Sequence, residues 1–410
     1  MHILFLSDNF PPEVNAPASR TFEHCREWVK AGYQVTVITC APNFPTGKLF
    51  EGYQNLFWQR ETMVGIRVIR VWTYITANEG LFKRTLDYVS FMVTSFLASL
   101  FVRQVDVVVG TSPQFFTVCA AYMTSLFKRV PWVFELRDIW PESIRVVGAM
   151  KHSKVLDLLE KLELFLYRKA NVIVSVTHAF RTSLIRRGVN ADKIYVVTNG
   201  VDLRRFLPRN KDSELQQQFD LKGKFVAGYI GTHGLAHALD TLLDAAKILK
   251  TAPDGDRFRI ILLGDGANKA SLRERAKVEE LDNVIFVDSV PKDQVVRYWS
   301  VLDVSIIHLR KDELFTTVIP SKLFESMGMG IPVLHGVEGE SAEIVEQEDV
   351  GLNFEPENPD VLVAKLRHLA DDPKLLARLK ANGPARAKLY DRSSLAAKML
   401  EILKGNAIKA

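Results

Sequence analysis

The residues of this chain best suited to chemistry are Pro320, Ser321, Lys322 and Glu325, in the stretch FTTVIPSKLFESMGMGIPVLHG from Phe315 to Gly336. Pro320 and Ser321 are placed to open a helix, with Ser321 as its N-cap, and Gly328 or Gly330 to end it. The N–H groups of the first turn have no partner within the helix, so beside Lys322 they suit a diphosphate. Arg310, at the end of the preceding apolar run, adds a second cation. Glu325 lies one turn in from Ser321 on the same helix face, where a carboxylate can accept hydrogen bonds from two neighbouring hydroxyls such as a ribose diol. Taken alone, Glu325 reads equally as an exposed helix glutamate and Lys322 as a solvated lysine.

The flanking apolar runs, Val304 to Leu309 and Ile331 to Leu334, read as buried parallel strands, which makes the stretch a βαβ unit. Upstream, strands Phe225 to Ile230, Arg259 to Leu263 and Val284 to Val287 alternate with helices Ala238 to Lys250, Asn268 to Glu280 and 292–300. The loop GTHGLAH, with Gly231, Thr232 and His237, and the tripeptide GDG from Gly264 to Gly266 each follow a strand, where open α/β sheets bind ligands. His233 and His237 have an i, i+4 spacing, but no carboxylate or cysteine completes a metal set. Asp254, Gly255 and Asp256 have the DxD form that holds a divalent ion elsewhere. They precede a strand, on the opposite edge, and read as a turn, so no metal is expected.

The N-terminal half opens with strand His2 to Ser7, loop Asp8 to Ala18, helix Ser19 to Ala31 and strand Tyr33 to Thr39. The loop DNFPPEVNAPASR lacks the GxGxxG of a dinucleotide site, which argues against a nicotinamide enzyme. Phe44 to Gln59 reads as a long loop before strand Ile66 to Trp72. The run from Leu86 to Val102 is almost wholly apolar, yet its 17 residues would span only about 26 Å as a helix, short of the roughly 30 Å hydrocarbon core. It is either a helix buried nearly all round or one lying partly in a bilayer surface, helped by Lys83, Arg84, Arg103, Lys128 and Arg129. Strands Asp106 to Gly110 and Trp132 to Leu136 follow, the second delivering LRDIWPES. There Glu135, Asp138 and Glu142 are the carboxylates able to receive a proton from an attacking hydroxyl. Arg137 is a permanent cation suited to a phosphate or a sugar hydroxyl, or to a local ion pair with Glu142.

Composition fits a globular two-domain enzyme: 410 residues, 47% hydrophobic, 25% charged, too long for one core. The net charge of +5 lacks the density and aromatic interleaving of a nucleic-acid surface. Cys25, Cys40 and Cys119 form an odd set without metal-ligand spacing, as expected of buried thiols in a reducing, cytoplasmic setting. The chain begins directly with a strand-like run, and no secretory signal is read there.

The run PSKLFESMGMGIPVL, with NGVDLRRF at Asn199 to Phe206 and GYIGTHGLAHALDTLLDAA at Gly228 to Ala246, resembles the retaining, nucleotide-sugar-dependent glycosyltransferases of family 4. LRDIWPES and YIGTHGLAHALDTLL are similar to the bacterial N-acetyl-L-fucosamine transferases of O-antigen and capsule synthesis. The resemblance implies the GT-B fold, α/β with two Rossmann-like domains whose parallel sheets face across a cleft. The domains would be 1–205 for the acceptor and 223–387 for the donor, joined by a linker at 206–222, with a C-terminal helix at about 388–410 returning to the first. It implies a UDP-sugar donor as substrate rather than cofactor, a lipid-linked saccharide acceptor, no metal and a position on the inner face of the bacterial membrane. Arg137, Asp138 and Lys322 would be catalytic. Gly231, Thr232, His237, Gly264, Arg310, Pro320, Ser321 and Glu325 would hold the donor, and Asn15, Glu135 and Glu142 would lie on the acceptor side. The chain departs from the family at several of these positions. Arg137 replaces a histidine, Thr232 and His237 an arginine and a lysine, and Thr317 the first glutamate of the motif. A GT-B epimerase or hydrolase of sugar nucleotides is the alternative.

Overall fold

A computed structural model describes residues 1–407 except 45, 77–80, 140–153 and 292. The chain divides into two compact units, Met1–Thr198 with Arg392–Ala410, and Asn199–Asp391.

The first unit is built on eight strands: β1 (His2–Leu6), β2 (Gln34–Cys40), β3 (Gln59–Met63), β4 (Ile66–Val71), β5 (Val107–Thr111), β6 (Trp132–Leu136), β7 (Val172–Ser175) and β8 (Ile194–Val196). Their order is β3-β4-β2-β1-β5-β6-β7-β8, and every pairing is parallel except β3 with β4. The central strands are apolar at nearly every position because helices cover both faces. In β1, Leu4 and Leu6 face a core shared with helices Leu81–Leu100 and Phe115–Lys128, while Ile3 and Phe5 face one shared with helices Ala16–Lys30 and Arg392–Ala407. The last of these helices is fixed on the second face by Leu395, Met399 and Leu403 and by Trp28, whose Nε1 donates to the Ala396 carbonyl at 2.8 Å.

The hairpin β3–β4 is absent from the sequence expectation, which ended a loop at Gln59. β3 is an edge strand of polar composition, QRETM, held by its partner rather than by burial, and Val64 and Gly65 close the turn with positive φ. The apolar helix, expected from Leu86 to Val102, runs Leu81–Leu100 and is not buried all round. Phe91, Ala98 and Val102 join the core, whereas Val93, Leu97 and Phe101 are 45%, 50% and 72% exposed. Its polar residues have a local purpose. Asp87 and Ser90 bond Thr73, and Thr94 donates to the Trp72 carbonyl, tying the chain that leaves β4 onto the helix. Cys25 and Cys40 are buried and Cys119 partly so, all as free thiols.

The second unit carries six strands, β9 (Phe225–Ile230), β10 (Phe258–Leu263), β11 (Val284–Val287), β12 (Val304–His308), β13 (Val333–Gly336) and β14 (Gly351–Asn353), in the order β11-β10-β9-β12-β13-β14 and all parallel. The segment 206–222, expected as a linker with little to add to a core, is part of this unit. Phe206, Leu215 and Leu221 are buried in its core, and Asp212 caps the short helix Ser213–Gln218. In each sheet the chain reverses its direction of winding once, between β1 and β5 and between β9 and β12. These are the places where ligands bind such sheets, at the carboxyl ends of the strands.

Candidate functional site

At the carboxyl edge of the second sheet, the loop after β9, the loop after β10 and the helix after β12 converge. The helix runs Ser321–Met329. Pro320 is its N-cap and makes no side-chain cap, so Ser321 is the first helical residue rather than the cap expected from sequence. The Leu323 N–H already donates to the Pro320 carbonyl at 3.0 Å, which leaves the N–H groups of Ser321 and Lys322 in the first turn for an anion. Gly330 ends the helix in the left-handed conformation, φ 68°. Lys322 reaches back from the first turn over the Tyr229 ring, its Nζ 3.7 Å from the centroid. Burial pulls the Lys322 ammonium down to about 7, against the charge of Glu325 one turn on, which raises it.

Two glycines make this approach possible. A Cβ at Gly231, φ 150°, would collide with the Lys322 ammonium, and one at Gly264, φ 146°, with the Gly231 carbonyl. The Tyr229 hydroxyl donates to the Thr232 carbonyl at 2.8 Å and His233 N–H to the Asp265 carbonyl at 2.8 Å, so the two loops are locked to one another. Lys269, only 7% exposed, donates to the Gly264 carbonyl and pairs with Asp288 at 2.6 Å. Arg310 leaves β12 exposed, its N–H bonded to the Ala236 carbonyl at 2.9 Å, which places a cation beside the same loop. Thr232 is exposed and carries no charge.

The histidines here are neutral. Burial pushes His233 and His237 down to about 4, with Lys322 adding to the effect. His308 donates from Nδ1 to the His237 carbonyl at 2.8 Å and accepts the Glu357 N–H on Nε2 at 2.9 Å, which fixes one neutral tautomer. Among the described residues no cluster of three metal-ligating side chains exists. The DxD is a turn whose Asp254 pairs with Arg367 and Asp256 with Lys224.

In the first unit the sequence-selected residues have other occupations. Asn15 is the N-cap of helix Ala16–Lys30, accepting from Ala18 N at 2.9 Å and donating to Asn9. Glu135 is 1% exposed and paired to Arg20 at 2.9 Å. Burial raises its carboxyl, but Arg20 and Arg137 outweigh that and hold it below the usual range, which weakens it as a base. The N–H groups of Arg137 and Asp138 both donate to Ser112 Oγ, at 2.8 and 3.2 Å, which sets the chain at the end of β6. Glu142 lies outside the described residues.

Sequence reasoning did not select Tyr229, Lys269 or His308, and weighed His233 without keeping it among the site residues. Tyr229 carried a usable signal, because a tyrosine inside an otherwise aliphatic strand puts a hydroxyl in a core that must satisfy it. The others become functional candidates only once the two loops are seen in contact.

Residues 18–205 match the model "Glycosyltransferase Family 4", and residues 210–386 match "Glycosyl transferases group 1". A curated GDP-mannose-dependent alpha-mannosyltransferase of Mycobacterium tuberculosis is 24% identical over 53% of this chain and 54% of its own length. The amylovoran biosynthesis glycosyltransferase AmsK of Erwinia amylovora is 25% identical over 44% and 43%. The chain thus spans about half the length of the curated relatives it matches. Among solved structures, Anabaena Alr3699/HepE in complex with UDP and glucose superposes with a TM-score of 0.71 at 18% identity, over 98% of this chain and 99% of that one. That is a likeness of fold.

Proposed function

We infer that this chain, a family-4 glycosyltransferase of the GT-B fold by its two matched regions and its architecture, moves a sugar from a nucleotide-sugar donor to a saccharide acceptor, with retention at C1. The observation that carries the reading is the convergence on one sheet edge of a helix N-terminus, the Lys322 ammonium and two glycine-forced loops. As the glycosidic bond breaks, negative charge grows on the leaving diphosphate, and fixed donors aimed at it lower the barrier. Lys322 and the first-turn N–H groups supply that charge stabilisation, Arg310 closes on the outer oxygens, and Glu325 accepts the ribose hydroxyls. His233 and His237 contribute hydrogen bonds and no charge, so Lys322 carries the electrostatic role that family members share between two further cations.

The donor sugar is the open choice. N-acetyl-L-fucosamine carried on UDP follows from the motif resemblance, and UDP is the nucleotide bound in the Anabaena neighbour. The mycobacterial relative is named for GDP-mannose, and the amylovoran relative supports a surface-polysaccharide role. A panel of UDP- and GDP-sugars offered with lipid-linked saccharides separates these cases. Transfer from a UDP-sugar supports the reading, transfer only from GDP-mannose corrects the donor, and donor consumption without an acceptor returns the hydrolase or epimerase alternative.

Metal independence belongs to the same reading, because the cationic work is assigned to side chains and the DxD carboxylates are spent on arginines and a lysine. Turnover with excess chelator should equal turnover without it. Activity lost to chelator and restored by a divalent ion would require a metal at the diphosphate.

A lipid-linked acceptor calls for access to a membrane surface. No described helix is long and apolar enough to cross one. The Leu81–Leu100 helix and the residues after it instead expose an apolar stripe, Val93, Leu97 and Phe101, with Leu126 and Phe127 of the next helix 59% and 63% exposed. Exposed Lys83, Arg84, Arg103 and Arg129 stand at its ends, where each adds about 1 kcal/mol near an anionic leaflet. Replacing Val93, Leu97 and Phe101 together by serine should reduce sedimentation with anionic vesicles and leave circular dichroism unchanged. Phe91 and Phe96 are unsuitable for this test, since both pack into the core. Undiminished sedimentation would remove the membrane role of this face.

A further inference from the structure

His308 closes β12 almost wholly buried, and its ring joins two segments that come from far along the chain. Nδ1 donates to the carbonyl of His237, 71 residues earlier, and Nε2 accepts from the N–H of Glu357, 49 residues later. A carbonyl only accepts and an amide N–H only donates, so a neutral imidazole with its proton on Nδ1 serves both. Burial favours that neutral form, against the His237 carbonyl and the Glu357 charge, which raise the ring's proton affinity. The ring lies flat against Phe354, with centroids 5.7 Å apart and planes 5° from parallel, and a Cβ at Gly336 on β13 would collide with both rings. An aliphatic side chain could fill this position, but it would leave the His237 carbonyl and the Glu357 N–H without this partner.

The loop after β9 is held at both ends. At its start the Tyr229 hydroxyl donates to the Thr232 carbonyl and the His233 N–H to the Asp265 carbonyl. At its end, the single turn Leu235–His237 is held from β12, by the His308 ring on the His237 carbonyl and the Arg310 N–H on the Ala236 carbonyl. That turn carries the His237 ring, which meets Tyr229 edge-on at 6.0 Å, and Tyr229 is the ring on which the Lys322 ammonium rests. On the other side of His308, Glu357 sits at a left-handed φ of 59° and its carboxylate accepts the Lys311 N–H at 2.8 Å, so the backbone on either side of Arg310 is tied to the same histidine. We propose that His308 is a positioning residue for the donor: touching no substrate itself, it sets the turn Leu235–His237 and the Arg310 backbone by holding the His237 carbonyl and the Glu357 N–H on one ring. This rests on the reading of this sheet edge as the donor site.

Two variants take the ring apart. In His308→Asn the shorter amide stands where Nδ1 was and keeps the donation to His237, whereas in His308→Gln the longer amide stands where Nε2 was and keeps the acceptor for Glu357. Both lose one hydrogen bond and the stack on Phe354, so both should lower the melting temperature by similar amounts. A ring that only supported the core would make nucleotide affinity follow the melting temperature in both. Positioning predicts a split, measured by calorimetry with whichever of UDP and GDP binds and by steady-state kinetics. His308→Gln should raise the nucleotide Kd and the donor KM about tenfold with kcat changed much less, and His308→Asn should stay close to wild type in both. Hydrogen exchange on the unaltered full chain gives a second readout: the nucleotide should slow exchange in residues 231–237 and 354–358 together, because one ring holds both. Equal weakening in the two variants, an unchanged affinity in His308→Gln, or protection of 231–237 without 354–358 would each overturn the proposal, and the exchange result decides it where a variant fails to fold. An unaltered chain that binds neither UDP nor GDP would remove the donor reading and this role with it, whereas one that binds a nucleotide and shows none of these differences removes the positioning role alone.

Discussion

Lys322→Ala should lower turnover at saturating donor by about 10²- to 10³-fold, the size of effect seen when one preorganised charge stabiliser is removed from a transition state. The fold should survive, because alanine keeps the helix and the Tyr229 ring beneath the lysine is held independently, with its hydroxyl on the Thr232 carbonyl. The same residue predicts a pH dependence. Burial brings the ammonium to about 7 in the donor-free protein, whereas a bound diphosphate favours the charged form. Donor binding therefore takes up a proton above pH 7 and not below it. The donor KM should stay flat up to about pH 7 and then rise, by at most tenfold per pH unit, until the donor-bound pKa is passed. In Lys322→Ala the rise should vanish. Steady-state kinetics between pH 6 and 9 (a window set by the usual range of such titrations) checks both, and a variant rate near wild type would take Lys322 out of the mechanism.

Glu325→Gln should weaken UDP binding roughly 10- to 100-fold, since a charge-assisted hydrogen bond contributes about 1.5 to 3 kcal/mol. Glutamine keeps the length and one acceptor, so the loss reports the carboxylate's charge and its second oxygen. Glu325 also stands next to Lys322 electrostatically and raises its proton affinity. The variant should accordingly shift the break in the donor KM profile to lower pH. Calorimetry that finds unchanged UDP affinity would refute the assignment, and a shifted break with unchanged affinity would leave Glu325 only its effect on Lys322.

The sequence determined by itself whatever depends on short-range pattern. The apolar runs HILFL, VVVGT and WVFEL could only be strands covered on both faces. The Pro320–Ser321 start and a glycine stop, at Gly328 or Gly330, bound one helix between two strands, and the absence of GxGxxG after β1 was visible in the letters alone. Tertiary structure decided what depends on partners far along the chain. Glu135 looked like a candidate base, and Arg20, 115 residues earlier, makes it a fixed anion. His233 and His237 read from sequence as loop histidines without a metal set, and the contact between two glycine loops buries them and pushes both down to about 4. Which side of the Leu81–Leu100 helix faces solvent was equally hidden, because residues of that helix are apolar on both sides and only the sheet beneath chooses between them. Burial and charge are sums over neighbours in space, and those neighbours come from elements that local periodicity cannot bring together.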